Sequence, residues 1–201
     1  MEVRELDVAG AWEITPQLHN DSRGLFFEWL TDRAFTGFAG HRLDVRQANC
    51  SVSAAGVLRG LHFAELPPSQ AKYVTCLSGS VFDVVVDIRV GSPTFGRWDA
   101  VVLDDHTHKS VYISEGLAHG FVALQDSSTV MYLCSTEYNP QREHTIAATD
   151  PTLAIAWPSG LELVISDRDA AAPTLDEVRA TGLLPTWEEA QAFVEDRALR
   201  A

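Results

Sequence analysis

The sequence predicts a mainly β protein, a β-sandwich or jelly-roll barrel followed by short helices. Two observations carry this. Apolar and polar residues alternate with period two through short segments near 11–15, 24–31, 45–53, 57–63, 71–77, 80–89, 98–103, 109–114, 119–125 and 128–136. Past residue 173 the pattern changes. Thr174 with Glu177 and Thr186 with Glu189 each have the spacing of a capping box, in which hydroxyl and carboxylate satisfy free backbone N–H groups where a helix starts.

Each element has a local reason. Gly79, Gly91, Pro93, Gly96 and Pro140 punctuate the strands, because glycine tolerates turn backbone and proline cannot donate to a ladder. In SVFDVVVDIR (80–89), Phe82, Val84, Val86 and Ile88 share one side while Asp83, Asp87 and Arg89 share the other, which predicts one face in the core and one in water. The 201 residues suit a single domain, with a β core to about 165 and a helical appendage over about 173–201.

Composition narrows the partners. A formal net charge of −13 argues against nucleic acid or an anionic membrane, both of which select basic surfaces. No window approaches the roughly 18 apolar residues of a membrane span. The N-terminal MEVRELDVAG lacks the apolar stretch of a signal peptide, so a cytoplasmic location is expected. Cys50, Cys76 and Cys134 are odd in number, match no metal or redox spacing, and are expected to be reduced core residues.

Against this acidic background one cluster stands out. RGLHF (59–63) and AKYVT (71–75) place Arg59, His62 and Lys72 on successive strands joined by ELPPSQ, whose prolines signal a turn, so the three should meet. Two cations beside an imidazole make an anion clamp next to a base. A strand histidine is by default a satisfied core residue, and a strand lysine a solvated edge residue. Lys72, however, alternates with Val74 and Cys76 on one face, where a charge is tolerable only if that face opens onto a cavity. Arg59 and His62 have opposite parity, so both can face one cavity only across a bulge, and Gly60 is its natural place.

DSRGLFFE (21–28), QANCSVS (47–53), GVLRGLHF (56–63), PPSQAKYV (67–74), GSPTFGRW (91–98), EGLAHGF (115–121), YLCSTEYNPQREH (132–144) and SDRDA (166–170) together resemble the dTDP-4-dehydrorhamnose 3,5-epimerase family over nearly the whole chain. The resemblance implies a cupin-type jelly roll, a homodimer, no cofactor and no metal. It implies a dTDP-4-keto-6-deoxyhexose substrate inverted at C3 and C5. The C4 ketone acidifies both neighbouring carbons, so a base on one face of the sugar and an acid on the other suffice. By similarity His62 is the base, Tyr132 the acid, Asp169 the residue that holds the His62 tautomer, and Lys72 the cation for the enolate oxygen. The same resemblance assigns Arg23, Glu28, Gln47, Asn49, Arg59, Lys72, His119, Glu143 and Arg168 to substrate binding and Tyr138 to stacking on thymine. The family's last motif usually reads SDKD; Arg168 replaces its lysine here, which keeps the charge and changes the contact geometry.

Three other readings stay open at the level of sequence. A metal-dependent cupin would use His62 and His119, although Ala64 stands where the general cupin motif, counted from Gly56, places its second histidine. A binding cupin without chemistry would keep the basic and aromatic residues but would not need His62, Tyr132 and Asp169 together. Within the family, relatives that invert only C3 or only C5 keep the same catalytic residue types.

Overall fold

The structure, a computed structural model, describes residues 1–199; the last two positions of the expected appendage, 200 and 201, lie outside the described residues. Two six-stranded sheets account for most of the described strands. The first runs in the order β1 (Glu2–Glu5), β2 (Ala11–Thr15), β10 (Ser110–Ile113), β7 (Lys72–Ser78), β12 (Ser128–Cys134), β5 (Gln47–Ser53). The second runs β13 (Glu143–Thr145), β6 (Val57–Ala64), β11 (Leu117–Ala123), β8 (Ser80–Asp87), β9 (Trp98–Asp104), with β14 (Val164–Ile165) parallel to β6. β3 (His19–Asp21) and β4 (Gly24–Phe26) form a separate ribbon. This is the sandwich that the alternation predicted.

Three apolar layers hold it. Val74, Cys76, Val81, Val85, Val111 and Val130 fill the space between the sheets. Leu58, Phe63, Val84 and Val86 pack outward from the second sheet against Ile146, Leu153, Leu175 and Val178 of the C-terminal part. Ile14, Tyr73 and Tyr112 pack outward from the first sheet against Phe35.

Because both sheets are covered, β8 is buried on both faces, and the expectation that Asp83, Asp87 and Arg89 face water is corrected. These charges sit inside with partners. Arg89 donates to Asp87 at 2.8 and 2.7 Å and to the Ala9 carbonyl at 2.7 Å, and its guanidinium lies 4.6 Å over the Trp187 ring. Burial works to raise the Asp87 carboxyl, but the bonds and charge of Arg89, with Ser92 and Thr94, outweigh it and hold the group below the usual range. Local alternation cannot distinguish a polar face that meets water from one that meets a partner.

The helices α3 (Leu175–Thr181) and α4 (Trp187–Leu199) begin where the capping boxes predict: Glu177 accepts the Thr174 N–H at 2.8 Å, and Glu189 that of Thr186 at 2.9 Å. The expected strand over 24–31 stops at Phe26. Beyond it the chain folds back, so that Trp29 Nε1 donates to Ser110 Oγ at 2.9 Å, and α1 (Asp32–Ala39) starts under the Thr31 cap and ends at Gly40 with φ +77°. α2 (Asp167–Ala170), capped by Ser166, was likewise not foreseen. Cys76 and Cys134 are buried, but Cys50 lies exposed on the edge strand β5 rather than in the core. No helix among the described residues is long and apolar enough to cross a membrane.

Candidate active site

A cavity of about 500 Å³ opens between the sheets, and Arg59, His62, Lys72, His119, Tyr132 and Asp169 are among its lining residues. A cavity of about 530 Å³ beside α4, lined by Arg42, Glu115 and Arg197, holds none of them.

The parity problem on β6 is solved as the sequence suggested. His62 pairs with His119 and Arg59 with Phe121, so three steps on β6 match two on β11. Gly60 takes φ +128°, and a Cβ there would stand 2.6 Å from the Gly120 Cα. Leu58, Leu61 and Phe63 therefore pack into the outer layer while Arg59 and His62 both line the cavity.

His62 Nε2 lies 3.0 Å from Asp169 Oδ1. The Gly60 N–H approaches Asp169 Oδ2 at 3.4 Å, and Ser166 Oγ accepts the Asp169 N–H at 3.2 Å, fixing α2 against the strand. Burial pushes the Asp169 carboxyl up, yet the hydrogen bond and charge of His62, with Gly60 and Ser166, outweigh it and hold the carboxyl below its ordinary value. Beside this pair, on β11, His119 Nε2 lies 2.8 Å from Asp83 Oδ2.

The first sheet faces them. Lys72 is buried at 8% exposure, and its side chain makes no hydrogen bond or ion pair among the described residues. The Tyr132 phenol is pushed up, chiefly by burial and then by Cys134, against the opposing effects of Arg59 and Asn49, so it keeps its proton at neutral pH and is a donor. Burial pushes the neighbouring Cys134 thiol up to about 11 despite Lys72, which leaves it a thiol. Candidate base and candidate acid thus come from opposite sheets.

Other expected residues ring this centre. Gln47 Nε2 donates to Asn49 Oδ1 at 2.8 Å, and Asn49 is the cross-strand partner of Tyr132. Gln47 Oε1 accepts the Tyr138 N–H at 2.8 Å, tethering a loop whose tyrosine ring is exposed. Arg168 borders both the central cavity and a neighbouring one of about 720 Å³ that Glu143 also lines; its guanidinium donates to the Glu143 carbonyl at 3.3 Å. Arg23 and Glu28 are not brought to the cavity. Arg23 projects from the β3–β4 ribbon, 86% exposed and paired with Asp21, and Glu28 is exposed.

Sequence reasoning missed Ser51 and the 164–166 wall of the cavity. Ser51 was legible as the next inward position after Gln47 and Asn49. The wall was not, since it depends on β14 joining β6 from more than a hundred residues away. Among the described residues, no group of three or more His, Cys, Asp or Glu side chains is placed to hold a metal ion.

Residues 5–177 match the family model described as dTDP-4-dehydrorhamnose 3,5-epimerase. The chain belongs to the dTDP-4-dehydrorhamnose 3,5-epimerase family. It is 75% identical over 196 residues to the dTDP-4-dehydrorhamnose 3,5-epimerase of Mycobacterium tuberculosis, covering 96% of this chain and 97% of that one. The solved structure of an RmlC epimerase from Mycobacterium tuberculosis superposes with a TM-score of 0.97 at 74% identity, over 98% of this chain and 100% of that one. The structure of a 3'-monoepimerase from Streptomyces bikiniensis in complex with dTDP-quinovose gives a TM-score of 0.94 at 46% identity, over 96% and 98%.

Proposed function

We propose that this member of the family converts dTDP-4-dehydro-6-deoxy-D-glucose to dTDP-4-dehydro-L-rhamnose by inverting C3 and C5, within dTDP-L-rhamnose biosynthesis. The observation that carries the reading is that His62 and Tyr132, on facing sheets, line one cavity together with Lys72.

His62 Nδ1, left free by the Nε2 contact to Asp169, removes the C3 proton. The C–H electron pair moves into the ring and the C4 carbonyl becomes an enolate, whose oxygen Lys72 stabilises. Tyr132 gives its proton to C3 from the opposite face, the electron pair returns to carbon and the ketone reforms inverted. Proton exchange with solvent resets the imidazole and the phenol, and the same cycle runs at C5. No step calls for a metal or cofactor. Arg59 and Arg168 clasp the diphosphate, Gln47, Asn49, His119 and Glu143 bind the remaining polar groups, and Tyr138 stacks on thymine.

The exposed ribbon supports a homodimer in which Arg23 and Glu28 reach the partner's cavity, since neither reaches its own. Sedimentation showing a fully active monomer would reject that. The location proposed is the cytoplasm. The monoepimerase of Streptomyces bikiniensis favours a second reading, inversion of C3 alone, at lower identity than the double epimerase. Proton NMR of the keto sugar after incubation in deuterated water separates the two. Label at both C3 and C5 with inversion supports the double epimerase; label at C3 alone makes the protein a monoepimerase.

A further inference from the structure

Among the described residues, the Asp83 side chain has one hydrogen-bond partner. It is fully buried on β8, its Oδ2 lies 2.8 Å from His119 Nε2, and its Oδ1 has no partner among the described residues. A carboxylate so enclosed is expensive unless an adjoining cation compensates it, and the imidazole of His119 is the group bonded to it. The titratable and charged groups that line the cavity with His119 are Arg59, His62, Lys72, Tyr132, Arg168 and Asp169. None of them bonds Asp83.

We propose that Asp83 is a positioning residue that keeps His119 as an imidazolium, so that its Nδ1–H points into the cavity as a second donor, beside Lys72, to the oxygen at C4. In a neutral ring whose Nε2–H is held by Asp83, Nδ1 has only a lone pair and would repel an enolate oxygen. In the cation it donates. His119 transfers no proton: the electron pair released when His62 deprotonates the sugar comes to rest on the C4 oxygen, and His119 and Lys72 hydrogen-bond to it there.

The inference rests on the epimerase reading for its role and on the Asp83–His119 contact for its chemistry, and the two fail separately. In histidine-selective 15N NMR of the wild-type protein at neutral pH, His119 should show two protonated nitrogens and His62 one. Asp83→Asn should return His119 to a single proton and lower kcat by about 10²-fold, the usual loss for one oxyanion donor, while KM stays close to wild type. Adding His119→Ala to Asp83→Asn should cost no more than His119→Ala alone. A singly protonated His119 in the wild type, or an Asp83→Asn variant that raises KM and spares kcat, overturns the proposal. If Asp83→Asn does not fold, the wild-type spectrum still decides, with His119→Gln supplying the kcat and KM comparison. If the wild type leaves the keto sugar unchanged, the epimerase reading falls while the nitrogen spectrum continues to judge the pair.

Discussion

His62 and His119 stand opposite each other on β6 and β11, each with Nε2 on a carboxylate, at 3.0 and 2.8 Å. The carboxylates differ. Asp169 arrives on a short capped helix, is approached by the Gly60 N–H as well as by the imidazole, and serves a histidine whose side chain is 36% exposed. Asp83 grows from the middle of a strand buried on both faces, has no second donor among the described residues, and serves a histidine only 9% exposed. Under the roles proposed above, the supported carboxylate serves a base, which must lose and regain a proton, and the unsupported one keeps its histidine a donor, so two pairs of the same composition are assigned different work by their surroundings.

The largest expected effect separates the pair members directly. His62→Ala should lower turnover by about 10²-fold or more and abolish deuterium uptake at C3 and C5, while dTDP affinity measured by calorimetry persists. Near-normal activity would remove His62 from the mechanism. His119→Ala, by contrast, should slow uptake without eliminating it.

Tyr132→Phe should uncouple the two halves of the reaction. Deuterium should still enter from the His62 face, and net inversion should fall by about 10²-fold. Inversion of both centres at the normal rate would make Tyr132 a wall of the pocket.

Asp169→Asn should reduce kcat by about 10-fold, less than loss of His62, because the ring stays but its tautomer is no longer enforced. It also has a stability signature. The folded-state carboxyl is held below its unfolded value, so its stabilisation is complete above that value, about pH 4, and is lost as pH falls through the lower folded value. The variant should therefore show a shallower decline of Tm under acid than the wild type. An unchanged acid slope would show that the carboxylate is not coupled to folding.

The smallest effect expected is none. Dialysis against a chelator should leave the rate unaltered, and activity restored by one divalent ion would overturn the enolate chemistry assigned to Lys72.

Much of this molecule was legible because its information is local. Alternation marked the central strands, and the two Thr–Glu capping boxes marked where α3 and α4 begin. The Gly60 bulge followed from parity alone. What was illegible depends on distant partners. Asp83 reads as a solvent-facing residue until His119, thirty-six positions later, is seen beside it. β1 carries EVRE, every residue exposed, and exists because β2 offers a ladder rather than because its side chains need a core. Arg23 and Glu28 carry the family's motif, yet in one chain they lie on the outside.

Three steps along β6 from Arg59 to His62 match two along β11, which makes the bulge a constraint apart from residue identity. Replacing Gly60 by valine at unchanged chain length would oppose the bulge, because its φ of +128° and the 2.6 Å approach to Gly120 leave no room for a side chain; regular alternation would then turn Arg59 toward the layer that Leu58 occupies or His62 toward that of Phe63. Circular dichroism of such a variant should remain that of a β protein while dTDP binding or turnover disappears. Deleting Gly60 outright should be milder, since Arg59 and His62 would then stand two positions apart and share a face without a bulge. The path of the chain between the anion clamp and the base is as much a part of the active site as either side chain.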